Sequence, residues 1–115
     1  MPPLDITSRT LQGSVTLTVT GDVDLSNAER VYKALTEALA PGVPVIADLS
    51  GVGFIDSRGV SALVRARHEA VHVAAAPILV VPSEAVARVL DLAGTEGVLP
   101  VYRDQAAALA ALTGP

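Results

Sequence analysis

Strand-like and helix-like stretches take turns along this chain, and that alternation limits its fold more than any other feature. Two period-2 runs come first. Leu4, Ile6 and Ser8 alternate with Asp5, Thr7 and Arg9, and Val15, Leu17 and Val19 alternate with Thr16, Thr18 and Thr20. Gln12-Gly13-Ser14 between them reads as a hairpin turn, and Gly21 ends the second run. Ser26-Asn27-Ala28-Glu29 fits a capping box. Ala28, Val31, Tyr32, Leu35 and Leu39 follow at helical spacing until Pro41-Gly42. Pro44 opens a buried strand, Val45-Ile46-Ala47, that leads into Asp48-Leu49. Residues 50–59 read as a loop. A second helix starts near Arg58, with Val60, Leu63, Val64 and Val71 on its apolar face. Pro77 and Pro82 bracket a strand over 78–81. Ser83-Glu84 starts a helix whose face is Val86, Val89, Leu90 and Ala93, closed by Gly94. Residues 98–102 read as a last short strand, held to an edge by Pro100. Asp104 caps a terminal helix over 105–112.

One hairpin followed by alternating strands and helices implies mostly parallel strands joined by right-handed crossovers. The expected fold is therefore α/β. It has a mostly parallel sheet of about four to five strands, an antiparallel N-terminal edge strand and about four helices. The runs 45–47 and 78–81 are the expected central strands. A chain of 115 residues can bury one core without staples. No linker, repeat or charge block divides it, so residues 1–115 read as one domain.

Composition removes several function classes. Half the residues are apolar and 17% are charged, which argues against disorder. The absence of cysteine excludes disulfides, thiolate-bound metals and thiol catalysis. Seven arginines and one lysine are scattered among twelve acids, for a net charge of -4. A duplex-binding protein needs a positive face, so nucleic acid is not an expected partner. The N-terminus lacks the basic start and apolar core of a signal peptide. The longest near-apolar stretch, 71–81, is broken by His72 and Pro77 and falls short of the roughly eighteen residues a membrane span needs. No direct membrane insertion is expected, and the cytoplasm is the expected location.

Residues 48–59, DLSGVGFIDSRG, carry the functional signal. They read as a strand end, a loop with two glycines, a hydrophobic pair expected to be buried (Phe54-Ile55) and a helix start. Ligands on open parallel sheets sit outside the strands' carboxyl ends, where this loop emerges. Asp56 and Ser57 at a helix start have a structural account, since Asp and Ser cap helices for about 1 kcal/mol. Ser57 also has a functional one. A helix N-terminus offers unpaired N–H groups and a positive dipole end to a phosphate. A phosphate there would add about -1.5 to -2 charge.

That string, together with GDVDLSNAE at 21–29, resembles the STAS domain of bacterial anti-sigma factor antagonists. The resemblance covers nearly the whole chain. It implies a small cytoplasmic transcription regulator that binds an anti-sigma factor, usually a serine kinase, and so frees a sigma factor. It implies that the kinase phosphorylates Ser57, that the modified form loses its partner, and that a serine phosphatase restores it. The upstream acidic residue assisting this corresponds to Asp24. Asp22, Asp24, Ser26, Asp56, Arg58 and Gly59 are the expected partner-binding residues. Where the family commonly has Ser or Thr after the phosphoacceptor, this chain has Arg58, which can pair with Asp24 or Asp56 or hold the phosphate in a two-pronged grip. The alternative is a STAS adaptor that serves a larger complex without being phosphorylated.

Competing signals are weaker. His68-Glu69-Ala70-Val71-His72 matches the zincin pattern H-E-x-x-H, but catalysis needs a third protein ligand and a cleft. The helix end is read as polar and solvated, with no catalytic residue and no metal site. Asp48 reads as a strand-end carboxylate accepting loop N–H bonds. Asp22 and Asp24 suit a positive helix end, and with Asp56 could crowd like charges at one site. Gly51-Val52-Gly53 lacks the Lys-Ser/Thr ending of a phosphate loop, and no cofactor is expected. Three aromatic residues are too few for a base-stacking platform.

Overall fold

The structure, a computed structural model, describes residues 2–11 and 13–113. The turn expected at Gln12 lies partly outside them. β1 (Asp5–Leu11) and β2 (Ser14–Val23) form the antiparallel hairpin that their alternation implies, with Ile6 opposite Val19. β3 (Val45–Ile55) runs parallel to β2, and β4 (Ile78–Pro82) runs parallel to β3. The sheet order is β1-β2-β3-β4. The helices are α1 (Ala28–Glu37), α2 (Ser57–Glu69), α3 (Glu84–Leu92) and α4 (Gln105–Thr113).

Alternate strand residues point to opposite faces. On one face Leu17, Val19, Val45, Ala47, Leu49, Val52, Ile78 and Val80 pack with Val31 and Leu35 of α1, Leu63 and Ala66 of α2, and Val86 and Leu90 of α3. On the other, Ile46, Leu79 and Val81 pack with Ala108 of α4. Two-faced burial explains why 45–47 and 78–81 are continuously apolar. It does not make both central. β2 and β3 are the inner strands, and among the described residues a single bridge, Val80 to Val101, lies beyond β4. The expected fifth strand at 98–102 reduces to that bridge. Val80 N–H donates to Pro100 O and Tyr102 N–H to Val80 O, both at 2.8 Å, and Pro100 has no N–H with which to extend the ladder.

The largest departure concerns residues 50–55, expected as loop and found as the second half of β3. Pairing with β2 continues to Val23 opposite Ile55, across register shifts between Thr18 and Thr20 and between Gly21 and Asp22. The glycines mark those irregularities. A Cβ on Gly51 would come within 2.8 Å of Thr20 Cγ2. Gly21 has φ +96 and lies under the N-terminal segment, where a Cβ would meet Pro3 O at 2.1 Å. Asp48 is thus a mid-strand residue, although it does accept the Ser50 N–H at 3.0 Å.

Helix ends differ from expectation in two places. The capping box at Ser26 does not form: α1 starts after Asn27, whose side chain makes no capping bond. α2 passes into a π-helical turn, Ala70–Ala74, which ends at Ala75 with φ 50. Ala70 and Ala74 continue the buried row of Ala66 at four-residue steps, while Val71, expected on the apolar face, lies about 100° round the helix from Ala70 and is exposed. Ser83 caps α3 by accepting the Val86 N–H at 3.1 Å, and Asp104 caps α4 by accepting that of Ala107 at 2.8 Å. Ala93 is exposed just past the end of α3.

Candidate functional site

β2 and β3 end side by side, because Val23 pairs with Ile55. Their exits, residues 24–27 and Asp56-Ser57, are therefore neighbours, as the sequence reading required. Asp56 ties them together. Its Oδ1 accepts the N–H groups of Arg58 at 2.9 Å and Gly59 at 3.1 Å, which makes it the N-cap of α2. Its Oδ2 accepts the Leu25 N–H at 3.2 Å, across 31 residues of chain. Its own N–H donates to Val23 O at 3.2 Å, and its carbonyl accepts the Val60 N–H at 3.1 Å.

Residues 22–28 form a self-contained turn. Asp24 Oδ1 accepts the N–H of Ser26 at 2.9 Å and also its hydroxyl. Asn27 Oδ1 accepts the Asp24 N–H at 2.9 Å, while Asn27 Nδ2 donates to Asp22 O at the same distance. The Asp24 carbonyl accepts the Ala28 N–H at 2.8 Å. Asp24 and Ser26 are thus occupied in shaping the turn. Asp22 contributes its carbonyl, and its carboxylate lies beside Gly53 on the strand.

Ser57 is the first residue of α2 and is exposed; its hydroxyl has no hydrogen-bond partner among the described residues. The helix start is less open to an anion than the sequence suggested. Asp56 takes the N–H groups of residues 58, 59 and 60, which leaves that of Ser57. Arg58 is exposed, and among the described residues its guanidinium pairs with neither Asp24 nor Asp56. It borders a hollow with Leu25, Ala28, Glu29, Ser61 and Arg65.

Gly59, expected at the partner surface, is buried. A Cβ there would lie 2.5 Å from Ile55 Cγ1 and 2.8 Å from Val23 Cγ1, so glycine lets α2 sit tight on the ends of both strands. Phe54, expected to be buried, is 47% exposed, while Ile55 beside it is buried. Period-2 alternation in β3 turns the two to opposite sides. Leu25 was not singled out in the sequence and is 68% exposed at the crown of the turn. Its only signal is a large apolar residue between Asp24 and Ser26. Next to it Arg65 donates to Glu29 at 2.8 Å and stacks 4.1 Å above the Tyr32 ring. That hydrogen bond holds the Glu29 carboxyl below the usual range and raises Arg65. Nothing in sequence spacing signals this pair.

These elements define a class: a small α/β module that presents an exposed serine on a capped helix start beside an apolar turn. The STAS domain family matches residues 5–108, and the chain belongs to that family. A search of curated proteins by sequence returned no match. Among solved structures, an anti-sigma factor antagonist from Mycobacterium paratuberculosis is similar, with TM-score 0.84 and 21% identity over 97% of this chain and 96% of that one. The anti-sigma factor antagonist SpoIIAA in its unphosphorylated form aligns with TM-score 0.73 and 18% identity over 96% of this chain and 98% of that one. Bacillus SpoIIAA in its phosphorylated form aligns with TM-score 0.66 and 16% identity over 94% and 99%. At these identities the likeness is one of fold. No helix of the described residues is long and apolar enough to cross a membrane.

Proposed function

We propose that this chain is an anti-sigma factor antagonist of the bacterial cytoplasm. It regulates transcription by binding an anti-sigma factor, itself a serine kinase, and thereby frees a sigma factor. It acts by binding and not by catalysis. Phosphorylation of Ser57 by that partner switches it off, and a serine phosphatase switches it on again. The observation that carries this reading is the exposed, unbonded Ser57 hydroxyl at the first position of α2, fixed there by Asp56. The similar fold of SpoIIAA, solved in unphosphorylated and phosphorylated forms, supports it.

The surrounding surface suits docking. Leu25 offers an apolar centre, and Asp24, Ser26, Asp56 and Arg58 offer a polar rim that sets register. A dianion on Ser57, next in the chain to the Asp56 that bonds Leu25, must be desolvated when the partner closes over it, which costs several kcal/mol. Every ~1.4 kcal/mol is tenfold in affinity, so two or three such steps make an off state.

The test is incubation with ATP and the cognate anti-sigma kinase, followed by a binding measurement. Wild type should take up label, Ser57→Ala should not, and labelled protein should lose the kinase while keeping its melting temperature. Label retained by Ser57→Ala would refute the site. Stable binding that Ser57→Asp leaves unchanged would make the chain a STAS adaptor that works unmodified. A large fall in melting temperature on phosphorylation would show that the fold, not the docking surface, is what changes.

A further inference from the structure

The far end of α2 carries the chain's two histidines. His68 lies in the last turn of α2 and His72 in the π turn that continues it. Both are exposed. Their ring centroids are 4.3 Å apart and the rings are tilted by 49°. Residues four apart on a helix share a face, with Cβ atoms about 5–6 Å apart, so these two side chains lean toward each other. Imidazoles brought this close can stack as neutral rings. They can also rotate about their side-chain bonds and offer two nitrogens to one ion. Neutral imidazole suits zinc, copper and nickel, whereas magnesium and calcium prefer oxygen.

We propose that His68 and His72 form a two-histidine clamp for a divalent transition-metal ion, with Cu2+ bound more tightly than Ni2+ or Zn2+. The preference follows from the general ordering of affinities for nitrogen sites. Water fills the remaining positions. Among the described residues no group of three or more His, Asp or Glu is placed to hold a metal. The clamp therefore lacks the three protein ligands of a hydrolytic zinc site and differs from the zincin reading of the same motif. Arg65, one turn earlier on the helix, is engaged by Glu29 and Tyr32, and Arg67 directly precedes His68. Glu69 follows His68 directly and adds negative charge next to the pair. A shared ion would tie the last α turn to the π turn across their junction. Binding to the folded state alone raises stability by mass action.

The experiment uses untagged full-length protein, washed with chelator and titrated with Cu2+, Ni2+ and Zn2+. Calorimetry gives stoichiometry and affinity, melting curves give the stability gain, and NMR follows paramagnetic broadening of both rings by Cu2+. One ion per chain is expected, with both rings broadened together and the melting temperature raised. His68→Ala and His72→Ala should each weaken Cu2+ binding by about tenfold or more, because the remaining imidazole loses its tethered partner. Ser57→Ala should bind as wild type does, which separates this site from the docking function. Wild-type affinity in either histidine variant, broadening of one ring alone, or no shift in melting temperature would overturn the clamp.

Discussion

Gly59→Ala tests whether α2 is held against the strand ends by close approach. The added Cβ would lie 2.5 Å from Ile55 Cγ1, 2.9 Å from Ile55 Cδ1 and 2.8 Å from Val23 Cγ1. Neither neighbour can swing aside, since Ile55 is 3% and Val23 1% exposed. Overpacking a core costs about 1–3 kcal/mol, and two immobile neighbours place this site in the upper half of that range. Alanine recovers up to about 1 kcal/mol as a better helix former than glycine. The net loss is about 1–2 kcal/mol, or roughly 4–8 °C in melting temperature for a chain of this size. Thermal and urea denaturation followed by circular dichroism would read it. The loss should shrink in a Val23→Ala background, because one of the three clashes is gone. An unchanged or raised melting temperature would mean that helix propensity outweighs packing here, and would refute the reasoning.

Asp56→Ala removes the cap of α2 and the tie to Leu25, and should cost about 1–2 kcal/mol. Hydrogen exchange at the Leu25 amide should speed up in this variant, and unchanged protection would show that the two loops are not held through Asp56. Glu96 is pushed up by its hydrogen bond to Asp91 and by that group's charge. An acid whose folded pKa is raised binds more protons when folded, so its contribution to stability grows as pH falls through that pKa. Glu96→Gln should therefore melt higher than wild type at neutral pH, with the gain vanishing at acid pH where Glu96 is itself neutral. A gain that does not vary with pH would sink this account.

The parts of the fold legible in the sequence are those with local causes. Alternation in 4–9 and 15–20 set the hairpin, and Ser83, Gly94 and Asp104 stand at the helix ends where their chemistry is useful. What misled the reading was non-local. Gly51 and Gly53 look like loop residues, yet they are strand positions where β3 passes bulges in its pairing with β2. The run 78–81 looks central because helices cover both its faces, and sheet order leaves no trace in a single strand's composition. Val71 is likewise misjudged from its apolar character, because the face of α2 that packs on the sheet runs through the small residues Ala66, Ala70 and Ala74 and leaves Val71 outside. At the site, Ser57 and Asp56 could be found because they sit in one short string. Leu25 belongs there only through a hydrogen bond spanning 31 residues, and no local pattern announces such a bond.

In the proposed switch, the occupied helix start changes where a phosphate on Ser57 finds its counter-charge. Asp56 already takes the backbone donors of residues 58–60, so the dianion would meet a carboxylate and could draw on little besides the Ser57 N–H. Arg58 stands next in the chain with its guanidinium unpaired among the described residues, and a guanidinium grips phosphate with two parallel bonds. Before modification Asp24, Asp56 and Arg58 of the rim around Leu25 sum to a formal charge of -1. The phosphate adds about -1.5 to -2, and Arg58 is drawn onto it and away from any partner carboxylate it would otherwise meet. One modification thus adds a charge that must be desolvated and withdraws a cation from the rim. Both changes fall on the docking surface, while the bonds from Asp56 to Leu25, Arg58 and Gly59 can stay as they are.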